Sequence, residues 1–391
     1  MTEIPDPRPE RHYSPEPSVL ERWAARYLQR LNPGESLPRR ERSDEEIATL
    51  QRVKRRIVIW SAVAGVLSGG IIGGIEVFIR QGLLDGMEGM DWREQLPYWA
   101  AFTVVAGVVS GIEILFLYWN ALRGIARISC IAGVPLQKSP EARLVVRGLS
   151  RVALEFPSPR DRIYGIDPFA YMRNWKLTLR ALLYRAKVGA SSFILRILLR
   201  RILGRVALRG LVPLFTAPLY AVWNAVITWR IMREARENAM GPYAVETLIT
   251  RWSEKRDELG PKCREALLQG TGEALMRNQD AHPNHVLLLA RLMALFESPE
   301  QSIKVDWSRQ RQVIATLEGE ERQALLETLT LASLLGGKVR KGKKHFLEEA
   351  YSSLGGVLEK AAIDQLRNKM LDGQPLTSRD LASAMHRQKD D

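Results

Sequence analysis

The chain has 391 residues, room for two or three domains, and carries a net charge of +13. Much of that excess is arginine set beside apolar segments, which argues against nucleic acid and for anionic lipid as the partner. Only two cysteines occur, Cys130 and Cys263, far apart, so a disulfide framework is excluded and a reducing compartment suits the chain.

Residues 1–42 are rich in proline and charge, and the opening "MTEIPDPRPERHYSPEP" has no apolar h-region, so no cleavable signal peptide is expected. Residues 43–128 form the next segment. Ser43 and Glu46 make a capping box, which predicts a helix beginning near Asp44 and running into the apolar text. Residues 57–79 carry one charge, Glu76. At about 1.5 Å per residue this run covers roughly 34 Å, enough to cross a hydrocarbon core of about 30 Å. A second run, residues 96–119, again has one charge, Glu113, with Tyr98-Trp99 and Tyr118-Trp119 at its ends like interfacial belts. Two helices buried in a soluble core are the alternative, and they rarely reach such lengths.

The flanks set a direction. "QRVKRR" precedes the first run, and Arg123 and Arg127 follow the second, whereas the connection between the runs holds Arg80 and Arg93 against Asp85, Glu88, Asp91 and Glu94. Lys and Arg favour the cytoplasmic side, so the hairpin enters and leaves there, and both termini are expected in the cytoplasm.

The two runs share a direct repeat, "GIIGGIEVFI" and "GVVSGIEILF". In an antiparallel hairpin the copies do not meet. Glu76 lies near the outer end and Glu113 in the inner half, more than about 10 Å apart in depth. Glu76 has Arg80 one turn later, and the pair can snorkel together. Glu113 is costlier to place. It is either a protonated, packed group or an ion, proton or oligomer contact. Gly65, Gly69 and Gly73 are spaced by four, as are Gly70 and Gly74, and Gly107 and Gly111. Small residues at this spacing let helix backbones approach, within the hairpin or between subunits, so the repeat reads best as a packing device.

Residues 129–240 are basic and amphipathic. In "KVGASSFILRILLRRILGRVALRG" the apolar Leu195, Leu199, Ile202 and Val206 share a face, and Arg196, Arg200, Arg201, Arg205 and Arg209 occupy the rest. That is the pattern of a helix lying on anionic lipid, with a soluble core-covering helix or a nucleic-acid-binding helix as the alternatives. Residues 210–229 follow without a charge. Both their flanks are basic, and Pro213 and Pro218 break the first half. A re-entrant or surface-lying element, a buried helix and a third span all stay open.

From residue 241 to 391 the pattern is helical and soluble. Pro242 and Pro261 suit first turns, helices are expected over 287–295, 343–354 and 357–371, and no strand pattern stands out. The "HPNH" pair, His282 and His285, reads as a helix cap and a surface residue rather than a metal site, because no acidic partner is near. No phosphate-cradling glycine loop and no nucleophile elbow occurs, so no catalytic residue, metal or cofactor is expected.

Two resemblances add to this. The run from "KVGASSFILRILLRRILGR" to "PLYAVWNAVITWRIMREA" resembles the EcsC family of bacterial membrane-associated proteins. The stretch "ALLETLTLASLLGGKVRKGKKHFLEEAYSSLG" resembles the tellurite-resistance TerB-like helical domain, keeping Gly337 and Phe346-Leu347. It has Gly336 where that family has an aspartate and Lys343-Lys344 where it has acidic residues, so the resemblance implies the fold without the metal site. The expected molecule is all-α. It has a transmembrane hairpin, a basic membrane-associated region and a cytoplasmic TerB-like domain, set in a bacterial inner membrane. Its expected role is a non-enzymatic scaffold or interaction protein, with a homo-oligomer or protein partner and a link to envelope or chemical stress. The alternative is an oligomeric channel or transporter component that uses Glu113.

Overall fold

The computed structural model describes residues 13, 16–31, 42–79, 91–134, 140–179, 212–298, 303–337 and 339–387. Arg80 and the five arginines between Arg196 and Arg209 lie outside the described residues. Helices dominate. In chain order they are α1 (Val19–Leu31), α2 (Asp44–Val77), α3 (Trp92–Ile131), α4 (Pro140–Ala153), α5 (Val212–Glu254) and α6 (Pro261–Asn278). They continue with α7 (Pro283–Leu295), α8 (Trp307–Ile314), α9 (Gly319–Leu334), α10 (Lys341–Ser353), α11 (Lys360–Leu371) and α12 (Ser378–Ser383). A strand pair that the pattern did not signal, β1 (Gly356–Leu358) and β2 (Met385–Arg387), closes antiparallel with Val357 opposite His386.

The chain divides into two compact units, one of residues 1–50, 125–173 and 234–391, the other of residues 51–124 and 174–233. The first has an apolar helical core. α6 is its axis, packed by α7, α8, α9 and α10, while α4 lies on α7 and α1 on α4. Leu267, Leu288, Leu329, Phe346 and Tyr351 are fully buried there, and the Trp307 and Phe346 rings stand 4.8 Å apart. Pro261 takes the first-turn position of α6, where a missing N–H costs nothing.

Pro242 does not start a helix, as the sequence led us to expect, because α5 runs on through Gly241 and Pro242. Proline has no N–H for the Asn238 carbonyl four residues back. The neighbouring Glu237 carbonyl accepts from Asn284 Nδ2 at 2.8 Å, so a side chain from α7 fills in beside the weakened ladder. Gly241 is what lets Asn284 in, since a Cβ there would strike its amide.

The second unit holds the apolar runs. α2 begins where its capping box predicts: the Ser43 N–H donates to Glu46 Oε2 at 2.9 Å and the Glu46 N–H to Ser43 Oγ at 3.3 Å. Asn120 of α3 donates to the Ile57 carbonyl at 2.9 Å and to Ser61 Oγ at 3.0 Å, and Phe102 and Ala106 cluster with Ile72 and Ile79. The two helices are therefore antiparallel. α5 passes through Pro213 and Pro218 unbroken, so the expected break in residues 210–229 is absent over the described part. Pro213 lies in its first turn, and Pro218 forfeits one hydrogen bond without ending the helix.

The glycine ladder divides by partner. A Cβ at Gly65 would sit 2.6 Å from the Tyr220 carbonyl oxygen, and one at Gly69 2.7 Å from Ala217 Cα, so α2 meets the backbone of α5 there. Gly70, Gly74, Gly107 and Gly111 face open space. Gly73 is buried. Since backbone cannot yield as a side chain does, Gly65→Leu should cost about 1–3 kcal/mol or more of stability. Gly107→Leu should leave the isolated chain unchanged. Thermal unfolding of both variants in detergent checks this contrast.

Candidate functional site

Inside the second unit a polar seam runs between α2, α3 and α5. Ser61, Ser68, Glu113, Asn120, Asn224 and Thr228 are all buried. Glu113 Oε1 accepts from Asn224 Nδ2 at 2.7 Å, and Oε2 has no hydrogen-bond partner among the described residues. Asn224 belongs to α5, so the carboxylate is answered within its own chain. The antiparallel register puts Glu113 level with about residue 67 of α2, while Glu76 stands about nine residues further along, roughly 14 Å away at 1.5 Å per residue. The two carboxylates of the repeat do not share a site. Glu76 is buried as well.

Sequence reasoning found Glu113 and missed its partners. The signal was present, since Asn120 and Asn224 are amides standing in otherwise apolar text. A buried amide in such surroundings must find a hydrogen bond.

The first unit contains a second buried polar group, beneath the turn between α9 and α10. Lys343 of α10 is fully buried and donates to the Ser333 carbonyl at 3.1 Å. Glu237 of α5 pairs with Arg367 of α11, and Arg367 Nε donates to the Gly337 carbonyl at 3.2 Å. His285 Nε2 bonds the Ala332 carbonyl at 2.7 Å. A carbonyl only accepts, so that nitrogen carries the proton and Nδ1 does not. Gly336 admits this packing, because a Cβ there would lie 2.5 Å from His285 Cε1 and from Asn278 Nδ2. His282 caps α7 as expected, its Nδ1 accepting from the Asn284 N–H at 3.2 Å. His285 is not the surface residue expected: both histidines are buried in the core.

Burial sets the protonation of these groups. It lowers His282 to about 4 and His285 well below the ordinary range, with Lys343 adding to the shift of His285. Burial, helped by Arg340, brings Lys343 down to about 7 against the pull of Glu237 and Asp280. The two histidines are therefore neutral and the lysine half-charged near neutral pH, beside the Glu237–Arg367 ion pair. Among the described residues no three of His, Cys, Asp and Glu gather as a metal site. Burial pushes the Cys263 thiol up to about 12, which suppresses thiolate chemistry.

No family model matches this chain, and comparison with curated proteins and with solved structures finds no match.

These shifts have a readable sign. A histidine held neutral in the fold binds fewer protons than the unfolded chain between its folded value, about 4 for His282, and about 6.5, so stability falls as pH drops through that window. Lys343 acts in the same direction between about 7 and its ordinary value of 10.5, where stability rises with pH by about one proton's worth. Denaturation of the full chain in detergent across this range should show that alkaline slope, and Lys343→Met should remove it while the acid loss stays.

Proposed function

We propose that the chain is a non-enzymatic, membrane-anchored scaffold or interaction protein at the cytoplasmic face of a bacterial inner membrane. One observation carries this reading: the second unit is polar inside and apolar outside. α2 and α3 are long and apolar enough to cross a bilayer, and only 39% and 17% of their most apolar windows are buried within the chain. Val66, Leu67, Val108, Ile112 and Leu115 are exposed, while the seam from Ser61 to Glu113 is hidden. A helix bundle in water does the reverse. Hydrocarbon around the unit would satisfy both faces.

The apolar half of α5 belongs with this anchor. It meets α2 at Gly65 and Gly69, and it exposes Val222 and Val226 as the other two helices expose theirs. Its lower end is marked by Trp229, with Lys54 and Arg233 over the ring at 4.9 and 5.7 Å, a pairing suited to a headgroup layer. The open face of α3 at Gly107 and Gly111 suits a second copy of the chain or a partner helix. Anionic lipid on the arginines from Arg196 to Arg209, and a role in envelope or chemical stress, rest on the sequence pattern and on the TerB-like resemblance.

The anchor and its direction are tested together in a background of Cys130→Ala and Cys263→Ala. The chain should stay with the membrane pellet after alkaline carbonate. A cysteine at Gly86→Cys should react with an impermeant thiol reagent in intact spheroplasts, and one at Ser352→Cys only after lysis. Labelling of Ser352→Cys in sealed cells would overturn the orientation, and release by carbonate the anchor.

The scaffold and transport readings part at Glu113. Glu113→Gln keeps an oxygen for Asn224 and should leave assembly and function intact. Glu113→Leu should destabilise the chain by about 1–3 kcal/mol, because it strands a buried amide. Cation or proton flux in reconstituted vesicles that disappears in Glu113→Gln would favour the channel and sink the scaffold reading.

A further inference from the structure

We propose that α1 is a second, peripheral membrane contact: an amphipathic helix that lays its apolar stripe on an anionic lipid surface. The proposal rests on the membrane reading above only for the nearness of the bilayer.

The helix is built so that one side is committed inward. Ser18 and Glu21 cap it reciprocally, the Ser18 N–H donating to Glu21 Oε2 at 3.0 Å and the Glu21 N–H to Ser18 Oγ at 3.2 Å. The same Glu21 carboxylate pairs with Arg151 of α4 at 2.7 Å. Ala24 and Leu28, three and seven residues on, are fully buried. That face is complete.

The remaining surface is unlike that of a helix facing water. Leu20, Trp23 and Leu31 are 53%, 49% and 41% exposed, and half-buried Tyr27 stacks on Trp23 with ring centroids 5.8 Å apart. At spacings of three and four these residues form one continuous stripe. Arg22, Arg26 and Arg30, spaced by four, run beside it and are all exposed. The helix has one acid, Glu21, and it is turned inward and paired. Every exposed charge on α1 is therefore positive.

An apolar stripe with aromatic rings beside a row of arginines fits the headgroup boundary of a bilayer, where indole and phenol rings settle and guanidinium groups meet anionic headgroups. The charge row is what selects the occupant. A protein partner of ordinary composition needs no such one-signed flank, whereas an anionic leaflet supplies the counter-charge all along it.

The test uses the full chain in lipid nanodiscs, with Leu20→Cys as the only cysteine and an environment-sensitive fluorophore on it. Discs of phosphatidylcholine alone are compared with discs that also contain phosphatidylglycerol. In the mixed discs the emission should shift to the blue, and lipid-borne nitroxide should quench it several-fold more than in neutral discs. Raising salt should reverse both effects. The triple variant Arg22→Glu, Arg26→Glu, Arg30→Glu should lose them, and Trp23→Ser should weaken them. Since all four substituted side chains are exposed, helix content and the Glu21–Arg151 pair should persist. Equal quenching in both disc types would overturn the anionic requirement. A blue shift without nitroxide quenching, with a larger particle mass, would mean that a second copy covers the stripe, and would overturn the proposal. If the chain fails to co-purify with discs, the anchor reading falls separately, and anionic vesicles added to the free chain then test α1 alone by the same quenching.

Discussion

The backbone of α2 comes against the backbone of α5 at Gly65 and Gly69, and the rest of the second unit depends on that approach. With any larger residue at those positions α5 would stand off, and Asn224 would no longer reach Glu113. The costs are coupled, because a carboxylate and an amide stranded among apolar side chains are each expensive, while joined by a hydrogen bond they are tolerable. Asn120 does for the α2–α3 contact what Asn224 does for the α3–α5 contact. It bonds a backbone carbonyl and a serine hydroxyl of the facing helix. Three apolar helices could slide past one another at little cost if dispersion alone held them. Two amides fix their register.

The first unit buries a polar group of its own among apolar helices. The apolar residues of α6, α7, α9 and α10 are inside and supply the bulk of the stabilisation. Within this core lie Lys343, His282, His285 and the Glu237–Arg367 pair. A charged lysine in such a place would be costly, and the downward shift of Lys343 is the chain's answer. The turn at Gly336 and Gly337 exists to make room. Gly337 has φ of 86°, in the left-handed region that suits glycine, and offers its carbonyl to Arg367, while Gly336 leaves space for His285 and Asn278.

The uncovered surfaces of the chain are of two kinds. The helices of the second unit present apolar surface all round a polar seam, as an inserted bundle does. α1 presents a narrow apolar stripe and a one-signed row of arginines, as an interfacial helix does.

The sequence by itself determined what depends on neighbours along the chain. The capping box at Ser43 predicts a helix start near Asp44, where α2 begins, the long apolar runs form long helices, and the all-α class follows from the absence of alternation. The depth offset between Glu76 and Glu113 was also legible, since an antiparallel hairpin and a fixed rise per residue determine it. What only the tertiary structure decided is which residues distant in the chain share an environment. Periodicity marked Gly65 and Gly107 alike, yet one meets α5 and the other open space. Local propensity makes Pro242 a helix start, yet α5 continues through it, and Asn284, more than forty residues away, donates to the neighbouring Glu237 carbonyl. The sequence makes His285 a surface residue because nothing acidic stands near it, whereas its partner is a carbonyl on α9. Hydrogen bonds and close backbone approach are short-range in space and indifferent to separation along the chain. No pattern within one helix could have named their other half.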